Sequence, residues 1–359
     1  MNPVASLTLL PLSAVYSAVT RARLAAYRQG LLSVSKLAAP VISVGNLTTG
    51  GTGKTPLVEW VCRVIDAVAH EGVRDGEKIC VLTRGYGRAN PKTQVVVSNG
   101  TELQASELHA GDEPLLLARN LLGIAAVISN PNRVAAGEWA IENLQTEVFV
   151  LDDAFQHLRL YRDLDIVTID ATNPWGGGLL PRGRLREPLS GLSRADCVVI
   201  TRSEQVEDTG AIKESVRHFA GAIPILSSCM RTTGFRKLDG SPIDTAEVLS
   251  QPIAAFCGIG NPGSFFDQLR REGCQLAFTR TFPDHHNYNQ SELESLVREA
   301  KAGGAKSLLT TAKDATKLQS FALGLPCGVL NIQISIDDEN RLVDLIRKAI
   351  NKSATDLHG

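Results

Sequence analysis

Residues 41 to 56 read VISVGNLTTGGTGKTP. An apolar, β-branched run gives way to a glycine-rich turn, and the turn opens on Gly-Lys-Thr-Pro. This is the order of a strand delivering its end to a helix N-terminus, where backbone N–H groups aim at an anion. Lys54 would reach the β- and γ-phosphates of a bound nucleotide, and the Thr55 hydroxyl would ligate Mg²⁺. Pro56 suits the first turn of the helix, where its missing N–H costs nothing. Thr48, Thr49, Gly50, Gly51, Thr52, Gly53, Lys54 and Thr55 are therefore the candidate cradle for ATP. The strict pattern GxxxxGK[ST] begins with glycine where this chain has Thr48, so the loop is a deviant form, with Gly45, Gly50, Gly51 and Gly53 supplying the flexibility.

Outward from this turn, strand and helix patterns alternate. Strands are expected over 39–44, 78–83, 94–98, 125–129, 147–152, 165–170 and 197–201, with helices from 56 to about 70, over 113–122 and over 134–143. Short β-branched runs alternating with helices predict an α/β fold of P-loop NTPase type: a mostly parallel sheet with helices on both faces. A second α/β pattern begins near Pro224, with a ribbon over 226–238, strands at 253–258, 275–281, 307–311 and 328–334, and helices at 263–272, 290–302 and 339–351. The expected division is thus an N-terminal helical segment 1–36, a core domain 37–225 and a smaller C-terminal domain 226–359.

The 359 residues carry 37 basic and 38 acidic side chains, a formal charge of −1, so no global field recruits nucleic acid and no nucleic-acid partner is expected. Nothing in the pattern calls for an obligate protein partner. The seven cysteines are scattered without a CxxC pair, which fits buried free thiols rather than a disulfide framework. Residues 1–20 lack charge, but Pro3, Pro11 and several hydroxyl residues interrupt the run, and Arg21, Arg23 and Arg28 follow it. That order is wrong for a secretory signal, and the stretch is too polar for a comfortable span. Val15, Val19, Ala22, Ala26 and Leu31 recur near helical spacing, which leaves two readings: a helix packed on the protein's own core, or one lying in a membrane interface with Tyr16 and Tyr27 at headgroup level.

Four further stretches carry chemistry. The strand ending at Asp152, followed by Asp153 in LDDAFQH, places two carboxylates where a P-loop fold keeps its metal-orienting aspartate. His157 lies four residues beyond Asp153 and reads equally as a structural or a catalytic histidine. In GDEP (111–114), Asp112 reads first as a helix N-cap, yet it also faces the strand ends where open α/β sheets bind ligands. FPDHHNY (282–288) offers Asp284, His285 and His286, dense in proton-transfer groups but ill-suited to a two-histidine metal site, since adjacent side chains diverge. A loop between Thr172 and Ser190, rich in glycine and proline, presents Arg182, Arg184 and Arg186 as a cationic patch. TAKDATKL (311–318) resembles a nucleobase-reading TKxD motif with its spacing one residue off, and guanine specificity is not expected.

Taken together, GNLTTGGTGKTP, RGYGR (84–88), GDEP, LDDAFQH, PRGRLREPL and FPDHH resemble the tetraacyldisaccharide 4'-kinase (lipid A 4'-kinase) family, in that family's order and over roughly residues 1–320. The resemblance implies phosphorylation of the 4'-hydroxyl of a lipid disaccharide 1-phosphate on the cytoplasmic face of the inner membrane, giving lipid IVA. It implies a peripheral enzyme whose N-terminal helix meets the membrane surface, and a C-terminal domain joined through a two-stranded ribbon. Residue by residue, it implies Asp112 paired with His285 at the acceptor hydroxyl, with His286 as a rival to His285. It further implies Mg²⁺ held by Thr55, Asp153 and Glu113 with Asp152 in support. Arg84, His157, Arg182, Arg184 and Arg186 are the candidates for substrate contacts, the three loop arginines for the 1-phosphate. Two rivals remain: a kinase for a soluble hydroxyl substrate, and an ATP-switched membrane ATPase, whose loops carry an extra lysine where this chain has Thr48 and Thr49.

Overall fold

The computed structural model describes residues 9–71, 78–85, 88, 90–318 and 320–356; residues 1–8 of the N-terminal segment and Tyr86 and Gly87 of the RGYGR motif lie outside the described residues. Helix α1 (Leu10–Arg28) leads into β1 (Val41–Asn46), α2 (Lys54–Glu71), β2 (Ile79–Thr83) and β3 (Val95–Ser98). Then come α3 (Glu107–Ala110), α4 (Asp112–Asn120), β4 (Ala125–Ser129), α5 (Arg133–Leu144) and β5 (Val148–Asp152). Strands β6 (Leu164–Asp170) and β7 (Cys197–Thr201), helix α6 (Gly210–Ala220) and the long β8 (Ile225–Lys237) follow. The second half holds β9 (Pro242–Ile243), α7 (Thr245–Leu249), β10 (Ile253–Cys257), α8 (Pro262–Arg271), β11 (Leu276–Thr281) and α9 (Gln290–Ala302). It closes with β12 (Ser307–Thr311), α10 (Ala312–Ala315), β13 (Cys327–Ile336) and α11 (Glu339–Asp356).

The strands form one sheet in the order β11-β10-β12-β13-β8-β7-β6-β1-β5-β2-β4-β3, with β9 hung on β8. Pairing is parallel except at β3/β4, β8/β13 and β8/β9. β8 begins parallel to β7 and continues as the antiparallel partner of β13, so two strands carry the chain from one half to the other. Every residue of β1, β2, β4, β5, β6 and β7 is buried, as both-face coverage of a parallel sheet requires. Alternation sorts the side chains: Ile42, Val44, Val81 and Val150 enter one core with Leu57, Val61 and Ile65 of α2, while Val41, Leu82, Phe149 and Leu151 enter the opposite core with Ala136 and Ala140 of α5.

Helix α11 departs from the expected 226–359 unit. Its Leu342, Ile346 and Ile350 join the core of Ile42 and Val44, so in packing residues 339–356 side with the first half. The antiparallel β3/β4 pair closes the sheet edge, and α2 begins at Lys54 rather than Pro56, which makes Lys54 and Thr55 part of its first turn.

Helix α1 packs on the protein along one side and exposes apolar side chains along the other. One face docks on the 172–190 loop and the turn after it: Ser13 Oγ donates to Leu179 O, Tyr16 Oη to Arg186 O at 2.8 Å, and Arg28 to Ser193 Oγ at 3.0 Å. The other face leaves Leu12 at 57% and Val15 and Val19 at 63% exposure. Tyr16 therefore turns inward, contrary to the headgroup position expected for it. No helix among the described residues is long and apolar enough to cross a membrane.

Candidate active site

The glycine turn is held from behind by hydroxyls. Asn46 Nδ2 donates to Thr52 Oγ1 at 2.8 Å, Thr52 Oγ1 meets Thr168 Oγ1 at 2.9 Å, and Thr201 Oγ1 donates to Thr52 O at 2.9 Å. On its outer side Thr49 N–H donates to Arg184 O at 2.7 Å, and Arg202 donates to Gly51 O at 2.9 Å. Gly45 is obligatory, because a Cβ there would lie 2.6 Å from Phe155 Cβ and 2.7 Å from its backbone nitrogen. Gly53 adopts φ of 77°, a left-handed conformation that side chains resist. Thr48, where the strict motif has glycine, is buried and bridges to Leu185, so its side chain serves the loop as a packing anchor.

Facing the turn is a cleft of about 1450 Å³ whose walls include Lys54, Thr55, Asp152, Asp153, Glu113, Arg84, His157, Asp284, His285 and Lys313. Asp153 follows β5 in a left-handed conformation (φ 51°), a strain that is commonest at functional positions. Its carboxylate accepts from Arg186 Nη1 at 2.7 and 2.8 Å and lies 3.5 Å from Lys54 Nζ. Burial opposes its ionisation, but the Lys54 and Arg186 charges prevail and hold its pKa below the usual range. Lys54 acts on Asp152 as well, but there it does not prevail. Burial first, then the Asp153 and Glu113 charges, push its pKa up to about 6, while Thr83 Oγ1 donates to it at 3.1 Å.

Asp112 opens α4, but it is not the cap. Gly111 takes the N-cap position, and the Asp112 side chain is free to reach across to the second half of the chain. There His285, itself left-handed at φ 60°, places Nδ1 2.9 Å from Asp112 Oδ2 and 3.1 Å from Oδ1. Lys317 Nζ, nearly as buried, stands 3.0 Å from the same Oδ2. Burial opposes, yet the His285 bond and the Lys313 and Lys317 charges hold Asp112 well below the ordinary carboxylate range. The reciprocal bond raises His285 above the ordinary imidazole range. His286 points elsewhere: its ring stacks on Phe282 and Nε2 meets Glu292 Oε2 at 3.2 Å, so the ring that meets Asp112 is that of His285.

The remaining candidates disperse. Arg186 is committed to Asp153, Arg184 Nε donates to Thr49 O beside a smaller cavity behind the glycine turn, and exposed Arg182 gives its backbone N–H to Ser13 Oγ. Of the three arginines expected at one phosphate, Arg186 lines the large cleft bonded to Asp153 and Arg184 is bonded to the glycine turn. Arg84 and His157 both line the cleft. Burial, then Arg133 and Arg162, lower His157 to about 4, so it is a neutral imidazole near pH 7. Two site residues were missed in the sequence. Lys313 and Lys317 belong to TAKDATKL, a stretch weighed there only as a base reader. Their spacing of four, one helical turn, was the available signal. Asp314, the would-be base reader, is fully buried and accepts from Gly258 N–H, Tyr288 Oη and Thr311 Oγ1.

A parallel sheet whose central strand feeds a glycine turn and a Lys-Thr-led helix, with carboxylates at the adjacent strand end, defines a P-loop phosphotransferase. The comparisons with known proteins narrow the class. The family described as tetraacyldisaccharide-1-P 4'-kinase matches residues 5–351, and the chain belongs to that family. It is similar to the tetraacyldisaccharide 4'-kinase of Geobacter metallireducens, at 43% identity over 94% of this chain and 96% of the relative. The same name is carried by a relative from Anaeromyxobacter sp. (strain K), 37% identical over 98% and 91% of the two chains. Among solved structures, that of LpxK from Aquifex aeolicus in complex with ATP superimposes with a TM-score of 0.77 at 32% identity, covering 96% of this chain and 99% of that one.

Proposed function

We propose that this lipid kinase transfers the γ-phosphoryl group of ATP to the 4'-hydroxyl of tetraacyldisaccharide 1-phosphate, forming lipid IVA, as a peripheral enzyme on the cytoplasmic face of the inner membrane. The observation that carries the reading is the Asp112–His285 pair: a buried carboxylate from the first half holds, at 2.9 Å, an imidazole from the second that lines the cleft of the glycine turn. In this reading residues 37–225 supply the nucleotide cradle and residues 226–338 supply the acceptor side, joined through β8 and β13.

The division of labour follows from the bonds already made. Lys54 and the loop N–H groups neutralise the triphosphate, which is most of what phosphoryl transfer asks of a protein. His285 Nδ1 is committed to Asp112, so Nε2 is the ring nitrogen turned to the acceptor and takes its proton. Asp112 orients the ring and stabilises the imidazolium that forms. Mg²⁺ fits the donor chemistry: Thr55, Asp153 and Glu113 would hold it, with Asp152 supporting them, and it would neutralise charge on the β- and γ-oxygens. Burial first, and then the Asp153 and Glu113 charges, raise the pKa of Asp152, and a divalent cation would offset both. No group of three His, Cys, Asp or Glu side chains forms a ready metal cage among the described residues, and Mg²⁺ bound chiefly through phosphate oxygens and one or two carboxylates needs none. The exposed apolar face of α1, with Arg21 and Arg23 nearby in sequence, suits an anionic lipid surface.

Incubation with radiolabelled ATP and tetraacyldisaccharide 1-phosphate in detergent tests the reading. The wild type is expected to yield labelled lipid and Asp112→Ala little. Turnover stimulated equally by bare vesicles without the disaccharide would overturn it in favour of a membrane-switched ATPase.

A further inference from the structure

We infer that Lys313 is a second phosphoryl-contacting cation, delivered from the half of the chain opposite Lys54; the inference rests on the kinase reading above. Its Nζ lies 3.1 Å from Asp284 Oδ1, 3.2 Å from Glu113 Oε1, 3.7 Å from Asp112 Oδ2 and 3.4 Å from His285 Nε2. The last distance decides the role. A hydroxyl that surrenders its proton to Nε2 must come within about 3 Å of it. The phosphoryl group bonding to that hydroxyl oxygen is then within reach of an ammonium 3.4 Å from the same nitrogen.

The backbone beneath Lys313 is fixed. Helix α10 is capped by Thr311, whose Oγ1 accepts from Asp314 N–H at 3.1 Å. The Asp314 carboxylate is in turn held by the Gly258 N–H and by Tyr288 Oη at 2.8 Å. The lysine stem rises from this anchor into the cleft with its side chain 14% exposed. A charge placed this way, on a rigid base with a short flexible arm, is preorganised for charge that develops on the transferring group.

The surrounding carboxylates are consistent with an exchange of partners. Without nucleotide, Lys313 is shared by Asp112, Glu113 and Asp284. Glu113 would help to hold Mg²⁺ in the reading above, and that commitment would free a donor direction of the ammonium toward the phosphate. In the transfer the acceptor oxygen forms a bond to phosphorus and the bond from phosphorus to the β-bridging oxygen breaks. The electron pair leaves with ADP and the hydroxyl proton goes to His285 Nε2. Lys313 keeps its three protons and donates hydrogen bonds to the phosphoryl oxygens.

The test is the ratio of affinities for β,γ-methylene ATP and ADP, measured by calorimetry with Mg²⁺ on the full chain. Lys313→Met is expected to weaken the triphosphate analogue about tenfold or more, the worth of one charged hydrogen bond, while ADP stays within about twofold. Lys313→Arg should recover most of the difference, and kcat for lipid phosphorylation should fall in Lys313→Met with the lipid KM unchanged. Lys313→Gln, which keeps a donor and a similar length, guards against a folding defect in the methionine variant. Equal losses for both nucleotides, or an unchanged ratio in both Met and Gln variants, would overturn the inference. If the wild type binds both nucleotides yet phosphorylates no lipid, the kinase reading fails while the affinity ratio still reports on Lys313.

Discussion

The two walls of the cleft are built from different materials. The glycine turn is wired by hydroxyls and backbone groups, Asn46 to Thr52 to Thr168 and Thr201, with the lysine on the helix that follows. The opposite wall is wired by charge: Asp112 and Glu113 from one half meet His285, Lys313 and Lys317 from the other. Neutral hydrogen bonds between packed strands fix a shape that persists without ligand. Ion pairs across the two halves are individually stronger in a buried site but depend on the halves staying together. The nucleotide end is thus a fixed mould, whereas the acceptor end is complete only when both halves meet, which suits a site that must exclude water from ATP until its lipid arrives.

The largest expected effect breaks the mould side. Lys54→Ala removes the loop cation and should lower kcat/KM by about 10²–10³ or more, measured as labelled lipid formed. Retention of full activity would mean the turn does not grip the transferring nucleotide. On the charged wall, Asp112→Asn and His285→Gln should each cost roughly 10²–10⁴ in kcat. The double variant should be little worse than either single one, because a base and its orienting partner act as a unit. Additive losses would show two independent groups. Wild-type kcat should also rise with pH as His285 loses its proton, along a limb displaced above the ordinary imidazole range by Asp112. His285→Gln should lack that limb.

This contrast also explains what could be read from the chain beforehand. The mould is local: strand, turn, Lys54 and Thr55 lie within sixteen consecutive residues, 41–56, and the β-branched runs around them gave the sheet. Asp112 and His285 are 173 residues apart, and only the resemblance to a known family paired them. Lys317 is separated from Asp112 by 205 positions, and its spacing of four from Lys313 marked a shared face without naming the carboxylate they would meet. The loop arginines show a related effect. Proximity in sequence suggested one shared phosphate, but in an irregular loop Arg186 bonds to Asp153 and Arg184 to the Thr49 carbonyl.

A smaller effect probes the seam between the walls. Asp152 has a folded-state pKa of about 6 against an ordinary 3.8, so its contribution to stability is fully present at low pH and is lost as pH rises through about 6. Replacing it with Asn removes that loss and should stabilise the nucleotide-free protein at pH 8 by up to roughly 2–3 kcal/mol, the worth of a two-unit shift. Thermal unfolding of the two proteins at pH 5 and pH 8, without metal, is the measurement. A difference that grows with pH supports the cost of ionising Asp152 where burial and then the Asp153 and Glu113 charges oppose it, and a difference independent of pH rejects it.

The smallest effect lies on helix α1, where Val15 is remote from the cleft and Val19 stands at its rim. Val15 and Val19 on α1 are 63% exposed and contribute little to the fold, whereas Tyr16 between them is tied to the Arg186 carbonyl. Val15→Ser with Val19→Ser should leave stability within about 0.5 kcal/mol, as for other surface changes. Removing several methyl groups from a membrane-facing surface should nonetheless weaken sedimentation with anionic vesicles several-fold, at about 0.8 kcal/mol per buried CH₂. Activity on substrate dispersed in detergent should hold, because the docked face of the helix is untouched. Unaltered vesicle binding would leave α1 as a strut for the 172–190 loop, its outer face in water, and would move the search for the membrane contact to another part of the surface.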